Sequence, residues 1–194
     1  PENDAYVNNS VSARVGFSPL KNLSIDFFAR FTDSQTDLDQ SEKYGDDPNF
    51  IYTLEESSYK AAANLLLFDG VWKQTLSASF MRHLSRAKDE ADDLRPSTSS
   101  INALDGKRTK IDWQNIVTIN RLNNFVLGIE TETEKASSDY QSESAWGPYS
   151  SVFPEQSLTT TGIYGQFQTR ILNTLFATAG VRYDKHQKFG SVVT

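Results

Sequence analysis

Ten charged side chains fall in one alternating phase of this sequence: Asp26, Arg30, Lys60, Lys73, Lys110, Asp112, Glu130, Arg170, Arg182 and Asp184. Taken together, they suit a hydrated wall that contacts a partner or guides a solute. Taken singly, each behaves as a solvated charge that pairs across strands at little net gain. A second group, Asp37, Asp39, Glu42, Asp46, Asp47, Glu55 and Glu56, crowds the segment 34–57 with hard oxygen ligands of the kind Ca²⁺ prefers. The EF-hand spacing of glycine and glutamate is missing, and a solvated acidic loop accounts for the same composition. A third group, Trp146, Tyr149 and Phe153, places rings beside Gly147 and Pro148. It suits contact with a bulky apolar ligand, or the folding of a loop onto its neighbours. His83 and His186 lie in unrelated frames, and no G-x-S-x-G nucleophile motif accompanies them. They read as rim residues, and no catalytic set is expected.

Composition narrows the classes further. The 194 residues contain no cysteine, which removes disulfides, thiolate metal sites and cysteine nucleophiles together. The net charge of −6, without a basic cluster interleaved with aromatics, argues against nucleic acid as a partner. Mean hydropathy is −0.51, and no stretch approaches the ~18 apolar residues of a membrane helix. Strands that bury only every second side chain in lipid keep such a polar average.

The elements that would position these residues are strands. Apolar side chains recur at a spacing of two, not three or four: Val11, Ala13, Val15 and Phe17; Leu23, Ile25, Phe27, Ala29 and Phe31; Leu175, Ala177, Ala179, Val181 and Tyr183. Less regular runs follow Tyr59, Trp72, Ile111, Phe125 and Ile163. Rings on the apolar phase fall at two heights. Phe17, Trp72 and Phe125 lie beside short turns, while Phe31, Tyr59, Phe80, Trp113 and Tyr183 lie at the far ends of their strands. At ~3.3 Å per residue and a tilt of about 45°, the heights differ by roughly 20–25 Å. That matches the apolar band between the aromatic girdles of a transmembrane barrel.

Connections alternate in length. Short turns at Pro19–Asn22, Asp69-Gly70, Arg121–Asn124 and Leu172-Asn173 alternate with long segments at 34–57, 87–107 and 137–159. Structureless loops of that length are uncommon in compact soluble domains. Short turns at one end and long loops at the other are the habit of bacterial outer-membrane barrels. The expected fold is therefore all-β: an antiparallel up-and-down meander of about eight strands, a segment of a larger transmembrane barrel. Residues 1–194 are expected to form one partial barrel domain without a plug. Pro1 to Asn9 reads as the tail of a loop, and Phe189 to Thr194 as the start of a ninth strand, so the chain reads as an internal piece of a longer polypeptide.

The run Gly180-Val181-Arg182-Tyr183-Asp184, following Thr161-Gly162-Ile163-Tyr164-Gly165-Gln166-Phe167 and a short turn, resembles barrel hairpins of TonB-dependent outer-membrane receptors, most of all the cobalamin-receptor branch. The resemblance implies Tyr183 at the lipid interface, with Arg182 and Asp184 facing inward. It implies a 22-stranded barrel around a plug domain in the outer membrane of a Gram-negative bacterium. Its partners would be outer-membrane lipid, the plug, TonB and a metal chelate such as cobalamin or a siderophore complex. Arg30 and Arg170 would join Arg182 and Asp184 on the inner wall, and Trp146, Tyr149 and Phe153 would touch ligand. Calcium in acidic external loops, known in some cobalamin receptors, points to Asp37, Asp39, Asp46 and Asp47. No other cofactor and no enzymatic activity are implied. A passive porin-like channel, an outer-membrane enzyme centred on His83 and a soluble β-rich binding module are the competing readings.

Overall fold

In the computed structural model, nine strands follow one another through a single antiparallel sheet in sequence order: β1 (Tyr6–Leu20), β2 (Leu23–Asp37), β3 (Ile51–Leu67), β4 (Trp72–Asp89), β5 (Ser99–Asn120), β6 (Asn123–Glu143), β7 (Tyr149–Ile171), β8 (Leu175–His186) and β9 (Gly190–Val193). The structure describes residues 5–39, 47, 49–93, 95–171 and 174–194. Each strand pairs with its sequence neighbours, leaving β1 and β9 as the two edges. Strands β3 to β7 run 17 to 23 residues, far beyond the ~5–6 usual in soluble sheets.

The registers join the apolar phases into one continuous face. Phe17 pairs with Ile25, Ile25 with Ala63, Ala63 with Leu76, and Leu76 with Trp113. This row starts at a ring of the lower set and ends at one of the upper set, because a tilted strand carries its hydrogen-bonded row uphill. Four steps at ~4.8 Å and a tilt of about 45° lift it about 14 Å, most of the height between girdles. Trp72, Val117, Phe125 and Phe167 share a lower row, and Trp113, Ile129, Ile163 and Tyr183 an upper one.

A single sheet cannot bury its own apolar face, and this one does not. Among the described residues Val126 is the only buried large hydrophobic side chain, while Phe27, Tyr59, Leu76, Ile111, Leu127 and Val181 all stand exposed. Two polar side chains on the apolar face, Gln74 and Asn115, are a register pair latched by the neighbouring indoles. Trp72 Nε1 donates to Asn115 Oδ1 at 3.0 Å and Trp113 Nε1 to Gln74 Oε1 at 3.3 Å. Each amide oxygen thus gains an indole donor from the neighbouring strand.

The connections correct the expectation in one respect. Strand reaches into each of the segments 34–57, 87–107 and 137–159: β2 and β3 cover 34–37 and 51–57, β4 and β5 cover 87–89 and 99–107, and β6 and β7 cover 137–143 and 149–159. Tyr6 to Asn9, expected as loop, is also strand and pairs with Asp33 to Thr36. In these upper stretches apolar residues such as Ile51, Leu54, Ile101, Leu104 and Val152 no longer keep to one phase, so the period-two signal fades while the hydrogen-bond ladder continues. At the opposite end the turns are tight. Phe68, Asp69 and Gly70 all take positive φ of 52°, 53° and 88°, a conformation glycine enters without a steric penalty. The expected turn at Leu172-Asn173 lies outside the described residues. A bulge sets Pro154 and Glu155 on β7 against Ser137 on β6, where a proline can sit without breaking the ladder.

Candidate functional site

The polar phases form the other face of the sheet, and three clusters stand on it or above it. The first is an ion network. Glu130 of β6 accepts from Arg182 Nη2 at 2.6 Å and pairs with Lys110 Nζ of β5 at 2.8 Å. The same guanidinium donates to both oxygens of Asp184 at 2.7 Å. Gly162 makes room for it: a Cβ there would lie 2.4 Å from Arg182 Nη2 and 2.6 Å from Asp184 Oδ1. One pleat below, the ring of Tyr164 lies over Gly128, where a Cβ would meet its Cζ at 2.1 Å. Gln114 Nε2 donates to the Tyr164 hydroxyl at 3.1 Å, and the Arg182 guanidinium sits 5.7 Å from the ring centroid. Two glycines thus hold a stacked Arg–Tyr pair flat against the wall.

The second cluster is a recess of about 460 Å³ higher on the same face, lined by Met81, His83, Arg108, Glu134, Phe153 and Leu158 among others. His83 Nδ1 lies 2.9 Å from Glu56 Oε1 on the adjacent strand, its register partner. Arg108 Nη2 donates to Glu132 at 2.6 Å. Among the described residues lining the recess none carries a hydroxyl or thiol, so the histidine has no nucleophile to activate there. A floor of thioether, aromatic and aliphatic groups with a few convergent charges is suited to binding.

The third cluster ties two connections together. Asp47, whose side chain is fully buried, meets Arg95 Nη2 at 2.7 Å, and Asp92 meets the same nitrogen at 2.9 Å. Asn49 Nδ2 donates to the Glu90 carbonyl at 2.9 Å. The hydrogen bond to Asp92, helped by the charges of Asp47 and Asp89, holds the Arg95 guanidinium above its already high ordinary value. It therefore stays charged at any physiological pH.

The expected site residues divide among these places. Arg182 and Asp184 are in the ion network. Arg30 lies apart from it on the polar face of β2, opposite Ser12 and Ser58, in the register row that leads to Met81 and Arg108. Arg170 lies at the tight-turn end, its guanidinium 5.3 Å from the centroid of the Phe176 ring. Phe153 is in the recess, because the bulge at Pro154 and Glu155 reverses the phase of β7 and turns it to the polar face. Tyr149 pairs instead with the ring of Tyr140 at 6.1 Å between centroids, and Trp146 is 99% exposed at the tip of its turn. The structure does not gather these three rings. Asp37 ends β2, Asp39 follows it exposed, and Asp47 is taken up by Arg95. Asp46 lies outside the described residues, and among those described no group of three or more acidic or histidine side chains is arranged to hold a metal ion. Arg108, Glu134, Met81 and Leu158 went unremarked in the sequence, although all four sit in the polar phase. Only the strand register shows that they meet.

A family model described as "TonB dependent receptor-like, beta-barrel" matches residues 2–194. No curated protein sequence matches. Among solved structures, the unliganded ferric citrate transporter FecA superposes with a TM-score of 0.72 at 13% identity, covering 99% of this chain and 32% of that one. The translocator domain of autotransporter NalP from Neisseria meningitidis superposes with a TM-score of 0.50 at 12% identity, covering 97% of this chain and 64% of that one. The chain thus spans about a third of the FecA chain, and at these identities the likeness is one of fold.

Proposed function

The chain belongs to the TonB-dependent receptor β-barrel family, and from that premise we propose that it builds part of the barrel wall of a receptor that imports a metal chelate, such as cobalamin or a siderophore complex, across the outer membrane of a Gram-negative bacterium. The observation that carries this reading is the division of the sheet into a continuous exposed apolar face and a continuous charged one. Water outside would make the first face an association hazard; lipid makes it the expected surface.

On this reading the charged face looks into the barrel. Lys110, Glu130, Arg182 and Asp184 face the plug domain, and the recess around His83, Arg108 and Phe153 lies above them toward the outside. A chelate entering from the external loops meets the recess first. Its binding there is reversible and non-covalent, and TonB acting through the plug supplies the energy for release inward. The chain's own residues bind and orient; they do no covalent chemistry.

Growth on a limiting chelate tests the proposal. A strain whose only uptake route is the intact receptor is grown on cobalamin, ferric citrate or a hydroxamate siderophore as sole source, with and without TonB. At least one chelate should support growth only when TonB is present, and H83A/R108Q should raise the concentration needed for half-maximal growth by about tenfold, the equivalent of ~1.4 kcal/mol. Uptake that persists without TonB would indicate a passive channel and overturn the reading.

A further inference from the structure

Two carboxamides lie on the face that meets hydrocarbon. Gln74 of β4 and Asn115 of β5 are register partners in the row Leu65, Gln74, Asn115, Leu127. That row runs between the row of Trp72 and Phe125 and the row of Trp113 and Ile129, inside the apolar band. The indoles of Trp72 and Trp113 donate to the two amide oxygens, and each oxygen keeps a second lone pair. The nitrogens are not provided for. Among the described residues neither amide NH₂ has an acceptor, although Asn115 is only 8% exposed and Gln74 is half-buried. Acyl chains offer no acceptor either. Polar side chains in such a layer are costly unless a group of another protein segment meets them. Leucine at either position would carry no such cost.

The relief on either side of the amides supplies a second observation. Towards β2 the face is hollowed by about 440 Å³ around Ala29, Ala61 and Ala78. Towards β6 the rings of Trp113 and Phe125 stand exposed. A two-fold axis along the membrane normal, passing between β4 and β5, sets β4 of one copy against β5 of the other and β3 against β6. At ~3.3 Å per residue and a tilt of about 45°, each step along a strand changes the height by about 2.3 Å. Each strand crossed along a row, at ~4.8 Å and the same tilt, changes it by about 3.4 Å. On this grid Ala78 is level with Trp113, and Ala63 with Phe125, to within about 1.5 Å. Each ring of one copy therefore faces an alanine of the other, twice over by symmetry.

We infer that this strip of the wall, centred on Gln74 and Asn115, is the contact with a second copy of the receptor in the plane of the membrane. Gln74 of one copy meets Asn115 of the other, and the reverse, each NH₂ donating to the free lone pair of the amide opposite. A like partner supplies that pattern because the patch is its own complement. The inference rests on the reading that the apolar face lies in the outer membrane, and the remainder of that face stays against lipid.

The test uses the intact receptor, dye-labelled and reconstituted in bilayers of phosphatidylethanolamine and phosphatidylglycerol, with copies per particle counted by single-molecule photobleaching as the protein-to-lipid ratio is raised. Two-step bleaching should grow with the ratio and stop at two. Gln74→Leu, which leaves the polar face untouched, should weaken association at least tenfold. Ala78→Phe, which fills the hollow and touches no amide, should weaken it comparably and decides the matter alone if Gln74→Leu fails to fold. Val181→Phe, on β8 and away from the strip, should leave association unchanged. Single-step bleaching at every ratio, unchanged association of the folded strip variants, or an equal loss with Val181→Phe overturns the proposal. A receptor that inserts into the bilayer but stays single refutes this inference alone; failure to insert refutes the membrane reading beneath it.

Discussion

Replacing Gly128 by alanine should cost far more than adding a methyl group to a strand normally does. The new Cβ would sit 2.1 Å from Tyr164 Cζ, a distance no packing tolerates, and β6 is paired on both sides, with β5 and β7. The backbone therefore has little freedom to retreat, and the ring must leave. Three losses follow. The hydrogen bond from Gln114 is worth about 0.5–1.5 kcal/mol. The exposed contact with the Arg182 guanidinium is worth about 0.5–1 kcal/mol. Forcing a side chain off its rotamer adds ~1–3 kcal/mol. The single substitution should thus destabilise the receptor by roughly 2–5 kcal/mol. Once Tyr164 is already alanine, no ring remains to displace. Gly128→Ala should then be neutral or stabilising by up to about 1 kcal/mol, since glycine in a strand interior carries an entropic penalty. Urea unfolding of the intact receptor in bilayers, run on the two singles and the double, measures the coupling. A coupling of at least ~2 kcal/mol is expected. Additive singles would refute the seat.

Three other outcomes follow from the same structure. Leu76→Arg, on the apolar face, should destabilise the receptor in bilayers by about 2–4 kcal/mol, whereas Ser77→Arg, one residue along on the polar face, should change it little; matched unfolding curves for the pair check this. Arg95→Ala strips the buried Asp47 carboxylate of its cation, so limited proteolysis within 38–50 and 90–98 should speed up on the order of tenfold, with Asp47→Asn in the Arg95→Ala background slowing it again. Glu130→Gln leaves Lys110 and Arg182 facing each other without their shared carboxylate; a loss of about 2 kcal/mol is expected by urea unfolding, shrinking as salt is added.

The strands themselves were legible because their apolar side chains recur at a spacing of two. Val11 to Phe17, Leu23 to Phe31 and Leu175 to Tyr183 alternate as they would if the odd side chains met hydrocarbon and the even ones water, with Phe28 and Phe176 the exceptions in the even phase. Where that alternation ends, so does the signal. Ser137 to Glu143 is polar on both faces and was expected as loop, yet it continues β6, because a ladder needs backbone pairing and not amphipathicity. Phe153 eluded counting for a different reason: two residues of β7 oppose one of β6, and a single bulge exchanges the faces beyond it. The seat of Tyr164 over Gly128 and the pairing of Asp47 with Arg95 depend on register and on loop approach, which no local pattern encodes. The faces of Arg30, Arg182 and Asp184 could be read from phase alone, but their partners could not.

The sorting of side chains between lipid and water is tested most directly by spin labels on the intact receptor in bilayers, read for collision with oxygen and with a water-soluble nickel chelate. Labels at Phe27 and Leu127 should collide with oxygen and be shielded from nickel, while one at Ser77 should show the reverse. Nickel access at Phe27 and Leu127 equal to that at Ser77 would contradict the division of this sheet into a lipid face and an aqueous one.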